Sequence, residues 1–121
     1  EKECEFQMAA NGIIGLETAV PLSLNLVRNG FISASQMIRC MSISPSRILG
    51  LPEGSLKCGK SADICIIDPK AIFTVTRESL HSLSYNSPFL GKDLQGKAVL
   101  TFINGRPVFD PTGILSLSKI N

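Results

Sequence analysis

The spacing of apolar residues changes at Gly50, and this change sets the class of fold. Before Gly50 the apolar residues recur every three or four positions, which is the period of an amphipathic helix. After Gly50 they form short runs that alternate with polar residues or are rich in β-branched side chains, as in β-strands. The sequence therefore predicts an α/β fold, with helices in the first half and strands in the second.

The first predicted helix covers residues 16–28 and is apolar on nearly every side. This pattern indicates a helix that is buried on more than one face, and hence a partner surface that the chain does not supply. Pro21 should kink the helix or mark its first turn. Asn29 and Gly30 predict its end, because both residues tolerate the left-handed conformation that is common at helix C-termini.

Two further helices are predicted before the change of pattern. Ser33 and Gln36 have the spacing of a capping box, and apolar residues follow at helical spacing. Ser44 followed by Pro45 predicts the start of a short third helix, because serine caps helices well and proline fits the first helical position. Gly50 predicts the end of this third helix.

Four β-strands are predicted, at residues 62–67, 71–76, 98–103 and 106–109. Asn104-Gly105 lies between the last two and is a strong hairpin signal, because both residues of a type I′ turn need positive φ. A long loop, residues 77–96, separates the second strand from the third. Asp63 and Asp68 bracket the first strand, but their spacing places them on opposite faces, which favours turn and edge roles over a carboxylate pair.

The composition limits the classes of function. With 44% hydrophobic and only 18% charged residues, the chain is not a disordered tail. The net charge of +2 is spread along the sequence, so no nucleic-acid partner is expected. No apolar stretch approaches the roughly 18 residues that cross a bilayer, so no membrane partner is expected either.

The cysteines and the first residues indicate the cellular context. Four cysteines are too few and too widely spaced for a secreted disulfide framework, which favours free thiols and a cytoplasmic location. Cys40 and Cys65 lie among apolar residues and are expected to pack as small hydrophobes, and Met37 and Met41 are expected in the core. The first six residues have no initiator methionine and no signal-peptide pattern, so we expect the chain to start within a longer protein.

Three motifs carry a resemblance to a known family. They are Gly15-Leu16-Glu17-Thr18, the segment 59–63 with its following strand, and Asn86-Ser87-Pro88-Phe89. Together they resemble the cyclic amidohydrolases, and the first and third motifs resemble the dihydroorotases in particular. The resemblance covers nearly the whole chain.

The resemblance implies a fold and a division into two parts. The complete enzyme would be a (β/α)₈ barrel with a small β-sandwich domain assembled from both ends of the chain. Residues 1–50 would then supply the final active-site loop and the last barrel helices, and residues 51–121 would supply the C-terminal part of the small β domain. Chemistry in such barrels lies on the loops at the C-terminal ends of the strands.

The resemblance also implies a reaction whose reactive groups this chain lacks. Dihydroorotases interconvert N-carbamoyl-L-aspartate and dihydroorotate with two zinc ions and a proton-shuttling aspartate. The sequence has one histidine, His81, in a predicted surface loop, so it cannot build a binuclear zinc site. We therefore expect no catalytic residue and no metal ligand in this chain, with both lying upstream of Glu1.

The resemblance implies that this chain contacts the substrate, although it lacks the reactive groups. In dihydroorotases the two residues equivalent to Asn11 and Gly12 contact the substrate through their backbone. A carboxylate is well served by main-chain N–H groups ahead of a helix, and Gly12 lets the backbone come close. The alternative is that Asn11-Gly12 is only a turn. Ala10 departs from the family pattern, which has proline at this position.

Several alternatives stay open at this stage. The chain resembles hydantoinases, dihydropyrimidinases and allantoinases over the segment 59–63, so a sister amidohydrolase is an alternative. Another is a non-catalytic dihydroorotase-like subunit that assembles with aspartate carbamoyltransferase. The expected partners are dihydroorotate or N-carbamoyl-L-aspartate, the remainder of the barrel, and either a second copy of the chain or that transferase.

Overall fold

The computed structural model describes residues 5–8, 12–51 and 54–117. A short 3₁₀ turn, Phe6–Met8, precedes the regular elements. Those elements are, in chain order, helix α1 (Leu16–Arg28), helix α2 (Ala34–Ile38), a π-helical turn (Arg39–Ile43), helix α3 (Ser44–Ile48), strands β1 (Ile64–Thr74), β2 (Asp93–Ile103) and β3 (Arg106–Phe109), and helix α4 (Ile114–Leu117). The mixed α/β composition confirms the predicted succession of helices and strands.

Helix α1 has the predicted bounds and continues through Pro21. Gly30 adopts a φ of 73°, which confirms its role at the end of the helix. Burial is one-sided, however, because Thr18 and Pro21 are buried whereas Leu16 is 87% exposed. The sequence predicts that α1 is buried on several faces, but the described part of this chain does not cover all of them.

The second and third predicted helices are joined. The capping box of Ser33 and Gln36 is present, with both hydrogen bonds formed. Ser44 is itself helical, so the prediction that it caps a separate helix is wrong. A π-helical turn lies directly before it. Pro45 explains this local widening, because a proline inside a helix lacks an N–H group and its ring crowds the preceding turn.

The strands form one antiparallel sheet in the order β1, β2, β3. The two predicted strands at 62–67 and 71–76 are a single strand with an irregularity between Asp68 and Ile72. At this point the Asp68 carboxylate accepts hydrogen bonds from the backbone N–H groups of Lys70 and Ala71, at 2.8 and 3.3 Å. The local turn bends the strand without ending it, which is why two segments were predicted.

The β2–β3 connection confirms the predicted hairpin turn. Asn104 and Gly105 both have positive φ, at 50° and 76°. The Asp63 carboxylate accepts a hydrogen bond from the Asn104 N–H group at 2.7 Å, and Ser61 donates to the Asn104 side chain at 2.8 Å. Asp63 thus has the predicted turn role. Strand β2 begins at Asp93, so the predicted loop ends earlier than residue 96.

Helix α1 packs across strand β2. A Cβ atom at Gly96 would overlap the side chain of Leu24, so glycine permits the close approach of helix and strand. The Arg28 guanidinium donates to the carbonyl oxygen of Gln95, the residue directly before Gly96, at 3.2 Å. This packing brings the start of α1 beside the loop that connects β1 to β2.

The core of the described residues is small. Its buried apolar side chains are Met37, Val75, Leu80 and Leu100. Met41, Cys40 and Cys65 are exposed, so their predicted places in a core are wrong for this structure. The predicted partner surface accounts for this result, because apolar segments remain exposed when only one face of an element is covered.

Candidate functional site

Asn86, in the second dihydroorotase-like motif, contacts the segment directly before the first motif, at the start of helix α1. The side-chain amide of Asn86 donates to the carbonyl oxygen of Gly12 at 2.7 Å. The N–H group of Ile14 donates back to the carbonyl oxygen of Asn86 at 3.0 Å. One asparagine therefore holds the backbone on both sides of Ile13, and we call residues 12–18 and 81–86 together the junction.

Glu17 forms the second connection in the junction. Its carboxylate accepts hydrogen bonds from the backbone N–H groups of His81 and Ser82, at 3.0 and 2.8 Å. The hydroxyl of Ser82 also donates to both carboxylate oxygens, at 2.8 and 3.1 Å. Charged acceptors form the stronger class of hydrogen bond, so this carboxylate fixes the loop against α1.

The ionisation of Glu17 follows from these contacts. Partial burial opposes the charged form, but hydrogen bonds from the backbone of Glu17 itself, from Ser82 and from His81 outweigh it. The net effect lowers the pKa of Glu17 from its ordinary value of 4.5. Glu17 is therefore a carboxylate at neutral pH and has the role of an anchor.

Gly12 is exposed and adopts a φ of 63°. A Cβ atom built there would meet no atom of the described residues within 4 Å. The described part of the chain thus leaves space beside Gly12, and the backbone conformation is one that side-chain-bearing residues rarely adopt. Asn11, the other predicted contact, and Ala10 lie outside the described residues.

A cavity of about 170 Å³ lies behind the junction, between α1 and the sheet. The ring of His81 stands edge-on to the ring of Phe109, with 6.4 Å between centroids. The cavity wall is mostly apolar and includes Leu16, Glu17, Val20, Pro21, Phe73, Ser79, His81, Gly96, Lys97, Ala98 and Phe109. His81 contributes its backbone to the Glu17 contact and its ring to packing.

The described residues do not fit a zinc centre. Within residues 5–8, 12–51 and 54–117, no group of three His, Cys, Asp or Glu side chains could hold a metal ion. Zinc needs several such ligands converging on one point. No helix in the same part of the chain is long and apolar enough to cross a membrane.

The sequence does not predict the residues that hold Gly12 in place. Asn86 and Glu17 belong to motifs of the family resemblance, but those motifs assign no role to either residue. Their partners lie more than sixty positions away, and local spacing carries no information about such distant pairs. The only signal in the sequence was that both motifs resemble the same family.

The chain belongs to the amidohydrolase family, because the sequence model of that family matches residues 5–108. Within that family it is similar to dihydroorotases. It is 52% identical over 109 residues to the dihydroorotase of Trichlorobacter lovleyi, covering 90% of this chain and 26% of that protein. It is 49% identical over 108 residues to the dihydroorotase of Geotalea daltonii, covering 89% of this chain and 25% of that protein. The resemblance expected from the motifs is confirmed.

The chain spans about a quarter of the length of the curated relatives that it matches. Among solved structures it is similar to the L-hydantoinase (dihydropyrimidinase) of Arthrobacter aurescens, with a TM-score of 0.76 and 35% identity, over 84% of this chain and 23% of that one. It also resembles the D-hydantoinase of Bacillus sp. AR9, with a TM-score of 0.67 and 28% identity, over 76% and 21% of the two chains. The arrangement of helices and sheet is thus one found in amidohydrolases.

Proposed function

We propose that this chain is part of a dihydroorotase, which catalyses the reversible hydrolysis of dihydroorotate to N-carbamoyl-L-aspartate in pyrimidine biosynthesis. The observation that carries the proposal is the identity of 52% to a dihydroorotase over 90% of the chain. The hydantoinase likeness, at 35% identity and below, supports the shared fold more than a shared substrate. The contact of Asn86, in the second dihydroorotase-like motif, with Gly12 and Ile14 just before the first is consistent with the proposal.

The role of this chain in that reaction is to bind a carboxylate of the substrate. Both dihydroorotate and N-carbamoyl-L-aspartate are anions, and main-chain N–H groups are good donors to carboxylates. The open space in front of Gly12 supports an approach of the substrate to the backbone there. Asn11 and Gly12 are the proposed contacts. Exclusion of water from the bound carboxylate would strengthen these hydrogen bonds. The carboxylate held in this way would orient the substrate ring for attack.

The reactive centre of the proposed enzyme is not built by this chain. The family resemblance implies two zinc ions that supply an activated hydroxide, and the described residues do not fit them. We propose that their ligands and the catalytic aspartate lie upstream of Glu1. Residues 1–50 would complete a (β/α)₈ barrel and residues 51–121 a small composite β domain, in a cytoplasmic enzyme that self-associates or assembles with aspartate carbamoyltransferase.

The experiment that tests this function uses the full-length, zinc-loaded protein that contains the chain. We expect it to hydrolyse dihydroorotate with a kcat/KM at least about a hundredfold above that for a hydantoin, dihydrouracil or allantoin, since unpaired polar groups penalise the wrong substrate. Preference for one of the three competing substrates would assign the chain to a sister amidohydrolase. Absence of turnover, together with binding to aspartate carbamoyltransferase, would favour the non-catalytic subunit.

A further inference from the structure

The geometry points to Asn86 as a positioning residue, which we propose aims the N–H group of Ile13 at the substrate carboxylate. This inference rests on the proposed function and identifies one main-chain donor of that site and the side chain that orients it. Asn86 lies seventy-four positions from Gly12 in the sequence, and the hydrogen bond between its side-chain amide and the Gly12 carbonyl is 2.7 Å long. The donor itself is the backbone of Ile13.

The orientation of the Ile13 N–H group follows from the planarity of the peptide bond. The carbonyl of Gly12 and the N–H of Ile13 belong to the same peptide unit, and the structure has no cis peptide bond among the described residues. In a trans peptide these two groups point in opposite directions. Because the Gly12 carbonyl points at the Asn86 amide, the Ile13 N–H group points away from Asn86.

The next peptide is held by the same residue. The N–H group of Ile14 donates to the backbone carbonyl of Asn86 at 3.0 Å. Two hydrogen bonds to one residue therefore leave the segment 12–14 little freedom to rotate, and Ile13 is exposed between them. A donor that is oriented before the ligand arrives loses less entropy on binding, so this arrangement favours affinity.

Glu17 keeps Asn86 in reach of Gly12. Its carboxylate accepts hydrogen bonds from three donor groups of His81 and Ser82, which lie five and four positions before Asn86. The loop is thus attached to α1 at one point and to the segment 12–14 at another. Asn86 faces the backbone of Gly12 only while both attachments hold.

The experiment compares Asn86 variants of the full-length, zinc-loaded protein with dihydroorotate as the substrate. Asn86→Asp replaces the donor by an acceptor of the same shape, so its carboxylate would face the Gly12 carbonyl. We expect its KM to rise about tenfold, since one lost hydrogen bond corresponds to about that factor. Asn86→Ala should raise KM less, because water can replace the amide at this partly exposed site. In both variants kcat should change less than about twofold, since the lost contact serves binding in ground and transition state alike.

A matched control separates geometry from charge and from folding. Asn29 is exposed, its side-chain amide donates to the side chain of Asn25 at 3.3 Å, and it lies at the far end of α1. Asn29→Asp adds the same negative charge as Asn86→Asp and should leave KM unchanged. Bound zinc should be equal in all variants. Asn86→Gln retains an amide and should keep a KM below that of Asn86→Ala.

Three results would overturn the inference in distinguishable ways. If the wild-type protein hydrolyses dihydroorotate but Asn86→Asp has the KM of Asn29→Asp, Asn86 does not position the site and the proposed function stands. If the wild-type protein does not hydrolyse dihydroorotate, the proposed function fails and the role of Asn86 fails with it. A fall in kcat with unchanged KM would also contradict the inference, because it would place Asn86 in the chemical step.

Discussion

The junction and the apolar surface of the same chain differ in how far they are complete. In the junction, Asn86 and Glu17 find their hydrogen-bond partners within the chain. Elsewhere, large side chains such as Phe31, Ile48 and Leu56 are mostly exposed, at 74, 82 and 84%. A polar contact is satisfied by two or three atoms, whereas an apolar surface needs a whole neighbouring layer. The hydrogen bonds of the junction are therefore complete within the described residues, whereas those residues leave much of the apolar surface uncovered.

The largest expected effect concerns the activity of the 121-residue chain by itself. We predict no measurable hydrolysis of dihydroorotate by the purified chain with added zinc, because the described residues cannot assemble a zinc centre. Loss of activity relative to the full-length protein should be complete. Detectable turnover that is removed by a chelator would contradict the prediction.

The second prediction concerns the exposed apolar surface. We expect the purified chain to self-associate, since contiguous exposed apolar surface favours association in water. Multi-angle light scattering at several concentrations checks this expectation. A monodisperse monomer at all concentrations would show that the exposed apolar surface needs no partner in water. The junction and this surface would then not differ in completeness.

The third prediction tests Gly12 in the full-length protein. Gly12→Val should raise the KM for dihydroorotate by about tenfold or more and leave bound zinc unchanged, because the side chain enters the open space and a β-branched residue resists positive φ. Gly50→Val is the matched control, since Gly50 has a φ of 65° and equally open surroundings. If both variants raise KM alike, backbone strain and not ligand contact is the cause.

The fourth prediction tests the Glu17 contact. Glu17→Ala removes the acceptor of three donors and should lower the free energy of unfolding of the full-length protein by about 2 kcal/mol. Ser82→Ala should cost about 1 kcal/mol. Chemical denaturation of both single variants and the double variant gives their coupling. Strict additivity would show that the contact contributes nothing specific to stability.

The smallest expected effect is the pH dependence that Glu17 confers. Its pKa is lowered in the folded protein, so the unfolded state binds the proton more tightly. The stabilisation is fully present above the ordinary pKa of 4.5 and is lost as the pH falls through the lower, folded pKa. Glu17→Gln should flatten the stability profile in this acidic range alone. Equal profiles in the two proteins would contradict the pKa shift.

The sequence predicted those features that depend on neighbouring residues. Helix α1, the capping box at Ser33 and the Asn104-Gly105 turn each follow from residues within a few positions of one another. Ser44 does not cap α3 as the sequence predicts, because a π-helical turn lets the chain enter α3 without leaving the helical conformation.

The sequence did not predict features that depend on distant contacts. The local sequence at Asp68 predicts the end of a strand, since the pairing with β2 on both sides of the bend depends on residues far along the chain. The burial of Met41 was overestimated because helical spacing shows which face is apolar and not what covers it. At the candidate site, the resemblance predicts Gly12 as a substrate contact, which stays a prediction, whereas the contacts of Asn86 and Glu17 can be read only from the fold.

The most direct test of the account is a crystal structure of the full-length, zinc-loaded protein with dihydroorotate bound. We predict a substrate carboxylate oxygen within about 3.2 Å of the Ile13 nitrogen, which is hydrogen-bonding distance. We also predict that the Asn86 amide remains hydrogen-bonded to the Gly12 carbonyl. A bound dihydroorotate whose carboxylate lies away from residues 11–13, or an Asn86 side chain turned away from Gly12, would contradict it.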